Sequence, residues 1–275
     1  MSIAYGDKYK INRFATPTYY GLGGTVMTAT IDPDAEISTE VGCGEGTRAI
    51  AFRKITAVRP KISWTQNIRR LVDYITLNAL ITAEGAVPAH DLAVDEGAGG
   101  LHLFTGCKVN TCRITIRQAE SIKAALEVLA KARSTQTAWT FVKATDEAMY
   151  KTALTTLSIG GVAETNWQEV EFGVDNNVIQ EMLGVSILPT EVGERQALYS
   201  GHIIRAVAQA SLVSDVLTGT PKTIIITLTD NQATPVAKTF TFTNAELRRS
   251  QVQARGLDMV IERIEWEGKT MVITP

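Results

Sequence analysis

Apolar positions along this chain fall mostly at a period of two. Thr25-Val26-Met27-Thr28-Ala29-Thr30-Ile31 reads as a strand ended by Asp32-Pro33-Asp34. Strand-like alternation resumes from Arg48 to Phe52 and continues from Ile55 to Trp64. The clearest hairpin is late: Ile224, Ile226 and Leu228 alternate with polar or solvent-side positions, Asp230–Pro235 turns, and Phe240 and Phe242 alternate on the return. A weaker hairpin joins Asp91–Val94 to Leu101–Phe104 through the glycine-rich stretch 95–100. From Gln66 the period changes. Ile68, Leu71, Val72, Ile75 and Ala79 form one stripe of an amphipathic helix that should stop near Glu84-Gly85. A shorter helix is expected at Leu212, Val213, Val216 and Leu217, opened by Ser211 and closed by Gly219 and Pro221.

The pattern also repeats. Shifted by 138 positions, Leu103–Lys131 superimposes Phe104 on Phe242, Thr105 on Thr243, Arg117 on Arg255, Glu127 on Glu265 and Lys131 on Lys269. Apolar positions coincide too, as at Ile114 with Val252 and Ile122 with Val260. A tandem duplication follows, with expected units at residues 1–133 (including an N-terminal arm), a connector at 134–162, and a second unit at 163–275. Ala163-Glu164-Thr165, echoing Ala35-Glu36-Ile37, marks the start of the second unit. The duplication also decides one local conflict. Residues 119–132 are rich in helix formers, whereas their partner, Met259–Glu267, is β-branched and alternating. Copies share a fold, so both are expected to be strands.

Composition narrows the function. With 275 residues, 27 basic against 29 acidic side chains and a net charge of −2, the chain lacks the basic excess of a protein that grips nucleic acid. No apolar run reaches the roughly 20 residues of a membrane-spanning helix, and the first residues do not read as a signal peptide, so no membrane insertion is expected. Cys43, Cys107 and Cys112 are expected to be reduced thiols. Cys107 and Cys112, five apart, should lie on opposite faces of one strand. Glycines 42, 44 and 46 run into a strand pattern rather than Gly-Lys-Ser/Thr, which reads as a turn and not a phosphate loop. His90, His102 and His202 have no second ligand at short spacing, and no nucleophile elbow or dinucleotide fingerprint occurs. Neither an enzyme, a cofactor nor a metal is expected.

Several stretches resemble the tail tube proteins of tailed viruses, in the branch where one chain carries two tube domains. They are Phe104–Asn110 leading into alternating strands, Val170–Val178 followed by Leu188-Pro189 and Gly193-Glu194-Arg195, and Asn244–Leu247 followed by Arg255–Asp258. The resemblance spans most of the chain from about Ala35. It implies a mainly β protein of two tandem β-sandwich or barrel domains, each with one flanking helix. Three copies would build a pseudo-sixfold ring, and stacked rings a channel for genome delivery. Implied partners are further copies, tape-measure, tail-terminator and baseplate or tip proteins, with DNA in transient passage. The virion tail, assembled in host cytoplasm, is the implied location. On this reading Glu127, Glu265, Lys131 and Lys269 are candidate pore-lining residues, the acidic pair repelling DNA phosphates. Gly97, Gly99, Gly100, Glu194 and Arg195 are candidates for contacts between rings. Competing readings are the inner tube of a contractile or secretion-type injection system, and a soluble β-sandwich ligand-binding module.

Overall fold

The computed structural model describes residues 10–15, 18–21, 24–32, 35–41, 50–68, 87–95, 100–136, 141–142, 150–183, 186–207, 212–255 and 259–274. Its first series of strands is β1 (Lys10–Ala15), β2 (Thr18–Gly21), β3 (Gly24–Asp32), β4 (Ala35–Val41), β5 (Ile50–Val58), β6 (Lys61–Ile68), β7 (His90–Asp95), β8 (Leu101–Arg117), β9 (Lys123–Leu129) and β10 (Ala132–Gln136). After β11 (Phe141–Val142) the series restarts with β12 (Thr156–Ile159), β13 (Val162–Glu164), β14 (Trp167–Asp175), β15 (Ile179–Glu181), β16 (Glu191–Gly193) and β17 (Leu198–Ala206). Helix α1 (Val213–Thr218) precedes β18 (Lys222–Thr229), β19 (Ala237–Arg255), β20 (Met259–Gly268) and β21 (Thr270–Thr274).

The two series pair in the same order. β3–β6–β9–β8 forms one antiparallel quartet, and β14–β17–β20–β19 forms another. β8 also pairs antiparallel with β14, with Arg117 opposite Glu169 and Thr111 opposite Asp175, so the quartets fuse into one long sheet. Each quartet is backed by a second sheet: β2–β1–β7–β8–β10 behind the first, β13–β12–β18–β19–β21 behind the second. β8 and β19 belong to both layers. Their first halves pair in the backing sheet and their second halves in the long sheet.

Such a strand must change layers while keeping apolar side chains inside, and two irregularities per strand do this. Buried positions along β8 run 102, 104, then 107, 109, then 112, 114, 116. The register slips opposite His90/Leu92 and again between Val109 and Thr111. β19 slips at the matching places, opposite Lys222/Ile224 and between Leu247 and Arg249. Gly106 and Asn244, 138 apart, both take positive φ at the first slip (60° and 51°). These slips correct the expectation for the cysteines: Cys107 and Cys112 both face inward and are buried, because simple alternation fails across a bulge. Burial pushes the Cys112 thiol up to about 12, and that of Cys107 higher still.

The 119–132 conflict resolves as strand: β9 alternates in burial between β6 and β8. Cross-strand pairing overrides local helix propensity there. The late hairpin forms as expected, with Ile224 opposite Phe242 and Ile226 opposite Phe240; Asp230 Oδ1 accepts from the Gln232 and Val236 amides in the turn. Helix α1 ends at Gly219 in the left-handed conformation. The first predicted helix falls mostly on residues outside those described. Its opening is corrected, since Gln66–Ile68 continues β6, with Ile68 opposite Gly24 and buried. In the N-terminal arm, residues 10–15 and 18–21 are extended and pair antiparallel, with β1 against β7. The echo at Ala163–Thr165 has a different place from its supposed partner, because Val162–Glu164 precedes β14 whereas Ala35–Val41 follows β3.

The second core is aromatic. Phe172 lies 4.8 Å from Phe240 and 5.7 Å from Phe242, and Phe242 lies 4.5 Å from Trp266. Trp266 fits because Gly201 stands opposite it; a Cβ on Gly201 would meet the indole at 2.6 Å. The first copy has Ile62 opposite Val128 at the matching site, which splits the same volume evenly.

Candidate assembly interface

The polar face of the long sheet is the side turned away from the backing sheets, and its side chains are set by strand alternation. In the first quartet it carries Lys61, Arg113, Arg117, Lys123 and Glu127; in the second it carries Glu169, Glu171, Asp175, His202, Arg263, Glu265 and Glu267. A basic edge and an acidic edge therefore meet where β8 joins β14. Arg117 Nε donates to Glu169 Oε2 at 2.8 Å, and Arg113 Nη1 donates to Ser200 Oγ at 2.8 Å. At one end of the same seam Asn176 Nδ2 donates to the Val109 carbonyl at 2.9 Å, and the Val178 amide donates to Asn110 Oδ1 at 2.9 Å. The β15–β16 hairpin leans over the first quartet, where Gln180 Nε2 donates to the carbonyls of Pro60 (3.0 Å) and Ala130 (2.7 Å).

Glu127 and Glu265 both lie on this polar face, as their equivalent positions require. Glu127 is held by Lys61 (2.8 Å) and Asn110 (2.7 Å), and Glu265 by Arg263 (3.0 Å). Each carboxylate has a cationic partner, so the face is a mosaic of ion pairs rather than a uniformly acidic lining. Lys131 and Lys269 sit elsewhere, exposed in the bends from β9 to β10 and from β20 to β21. Among the loop candidates, Gly97 and Gly99 lie outside the described residues; Gly100 is described, with φ 103°. Glu194 is tied to the first copy by the Lys108 ammonium and by the Val87 amide (3.1 Å). Arg195 is exposed at a cleft over the seam, beside Asn110 and Asp175. Glu194 thus braces the two series of strands within one chain.

Two of these carboxyls respond to their surroundings. Desolvation raises Glu127, but its bonds to Lys61 and Asn110 outweigh that and hold it below the ordinary value of 4.5. Desolvation likewise raises Glu169, and Arg117 and His202 reverse the effect. A carboxyl lowered in the folded state adds stability above its unfolded value and loses that contribution as pH falls through the folded one. The urea midpoint should therefore hold steady down to about pH 5 and decline below about 4.5. Glu169→Gln should flatten that decline; a variant with the same acid slope as the parent would show that this pair is not responsible.

Sequence reasoning missed the strongest charged cluster, the buried Arg205 with Glu164 and Glu262. These residues are 41 and 57 positions apart in the chain, and only the pairing of β17 with β20 and the return of β13 bring them together. It also missed Glu169, Glu171 and His202, which lie on adjacent strands.

A family model described as Phage tail tube protein matches residues 13–268. No curated protein matches the chain.

Proposed function

The chain belongs to the phage tail tube protein family, and from that premise we propose that three copies close into a pseudo-sixfold ring, each contributing two tandem tube domains. Stacked rings would form the channel for genome delivery in the virion tail, meeting tape-measure, terminator and tip proteins at its lumen and ends. Strand pairing supports a first domain that ends near Gln136 and a second that begins near Tyr150, with a shorter connector than the sequence suggested.

One observation carries the proposal. Ile114 and Ile122 in the first copy are each 1% exposed, while their counterparts Val252 and Val260 are 46% and 44% exposed. Ile114 lies on β8, which has β14 against its edge; among the described residues β19 has no equivalent neighbour, so its apolar face awaits cover. Among the described residues the free edge at the other end of the long sheet is β3, the counterpart of β14, and its slip between Val26 and Thr28 matches that between Trp167 and Glu169. A ring in which β19 meets β3 of the next copy repeats the seam already present within the chain. Three copies of an eight-strand sheet bring twenty-four strands, a barrel roughly 37 Å across at the backbone before tilt, wider than the 16–18-stranded porins that hold open water channels. Its lining would be the ion-paired mosaic, with Glu127 and Glu265 in it. Cations already paired on the wall, such as Lys61, Arg117 and Arg263, are less available to passing phosphates.

Carrying the β8–β14 register over to this seam sets Thr30 opposite Gln253, and Thr28 opposite Arg255, of the adjacent copy. Thr30→Cys with Gln253→Cys should give oxidation-dependent dimers and closed trimers on denaturing gels. The native mass should correspond to three chains or multiples of a three-chain ring. Single rings of six chains in microscopy, or a native mass that is not a multiple of three chains, would overturn the proposal.

A further inference from the structure

We propose that Glu169, Glu171 and His202 form a binding site for one divalent transition-metal ion per chain. Glu171 on β14 stands directly opposite His202 on β17, and Glu169 lies two residues along β14 on the same polar face. His202 Nε2 is 3.2 Å from Glu169 Oε1, and its Nδ1 is 3.9 Å from Glu171 Oε1. One donor atom from each of the three residues lies within 4.8 Å of the others. Small side-chain rotations bring such atoms onto a common ion at about 2.0–2.2 Å.

The outer groups support this use of the donors. Arg117 binds Glu169 through both oxygens, Nε to Oε2 at 2.8 Å and Nη2 more weakly to Oε1 at 3.3 Å, and the second oxygen of Glu171 lies 3.4 Å from the Thr115 hydroxyl. Both anchors come from β8, so the first copy orients the carboxylates while the second supplies all three donors. Glu171 is held through one oxygen and offers the other, the way outer partners fix metal ligands, while Glu169 turns the less tightly bound Oε1 toward the imidazole. The imidazole is mostly enclosed, at 12% side-chain exposure. A groove of about 350 Å³ beside Glu171 and His202 gives an ion its route in. The guanidiniums on that groove are turned elsewhere: Arg113 to Ser200, Arg248 to Glu267 (2.8 Å) and Arg263 to Glu265 (3.0 Å). Glu265, opposite His202 in register on β20, adds negative charge on the far side.

An imidazole with two carboxylates selects zinc, cobalt or nickel over magnesium or calcium. At the matching positions the first copy has Thr28, Thr30 and Ser63, which carry neither imidazole nor carboxylate. One site per chain follows, not two.

The test uses the full-length protein, freed of metal by chelator and titrated with Co²⁺ and Zn²⁺. Calorimetry should give one ion per chain, and Co²⁺ should develop visible absorption bands. Affinity should fall as pH is lowered, since protons compete with the ion for the imidazole and carboxylates. His202→Ala and Glu171→Gln should each weaken binding at least tenfold, while Ser63→Ala leaves it unchanged. Far-ultraviolet dichroism matching the parent establishes that a variant is folded. Absence of binding by the folded parent at 1:1 millimolar-range Zn²⁺ (about 1 mM), or equal binding by folded His202→Ala and Glu171→Gln, would overturn the site. Both outcomes are independent of ring formation, which is read separately from mass and cross-linking.

Discussion

Replacing Gly173 by valine is expected to lower the thermal midpoint by on the order of 10 °C, the cost of about 3–5 kcal/mol for forcing bulk into a closed contact. Gly173 is buried on β14, where that strand lies against β8. A Cβ there would fall 1.9 Å from the Cys112 carbonyl oxygen and 2.9 Å from Arg113 Cδ. The first of these atoms is backbone, so relief requires the two strands to part. The strain would act directly on the seam between the copies. Gly193→Ala is the matched control: its nearest neighbour would be Ile179 Cγ1 at 3.9 Å, an ordinary contact, and its midpoint should stay close to the parent's. Thermal melts of both variants check the pair. A Gly173→Val protein as stable as Gly193→Ala would mean the strands can yield without loss.

The second large effect is expected at Arg205. Its guanidinium is 2% exposed and binds two carboxylates, Glu262 through Nε (2.9 Å) and Nη2 (2.8 Å), and Glu164 through Nη1. Burial alone would lower its pKa, but the carboxylates together raise it above the ordinary value. Arg205→Met leaves two buried carboxylates without their cation and should cost about 3–5 kcal/mol. Glu262 Oε1 also accepts from the Leu212 amide (3.0 Å) and bonds Ser250, so the loss should loosen the start of α1. The first copy shows how the same sites work without charge: they hold Gln66 and Ala124, with Trp64 Nε1 donating to Gln66 at 3.0 Å. Arg205→Gln combined with Glu262→Ala should therefore recover part of the loss. Urea unfolding of the single and double variants measures this, and a double variant weaker than Arg205→Met would refute the comparison.

Much of this architecture was legible in the sequence because the repeated pattern let one stretch interpret the other, and the two series of strands pair in the same order. The strand at 123–129 is the clearest case: alone its Ala-, Leu- and Glu-rich composition reads as helix, and only Val260–Trp266 reveals the alternation. The 138-residue shift places β10 on β21 to the residue. What escaped was whatever depends on local departures from the period. One of the two bulges in β8, between Val109 and Thr111, inverts the inward phase between the cysteines, so counting from Cys107 to Cys112 gave the wrong faces. Contacts between adjacent strands escaped for a different reason. Register decides whether Glu171 meets His202, and no local spacing encodes register across 31 residues. Glu127 and Glu265 were found on the polar face, but their pairing with Lys61 and Arg263 was not visible, and that pairing changes what the face presents to a polyanion.

The β8–β14 seam also has a kinetic and entropic consequence. Closing a ring from six separate domains takes five association steps, each losing translational and rotational freedom valued at an estimated 4–15 kcal/mol. In the proposed ring of three, half the seams would be closed within each chain by the peptide that links β10 to β12, where effective concentration replaces diffusion. A ring of three needs two associations. The threshold concentration for assembly falls accordingly, and the two copies can diverge in sequence, since each always meets the same neighbour.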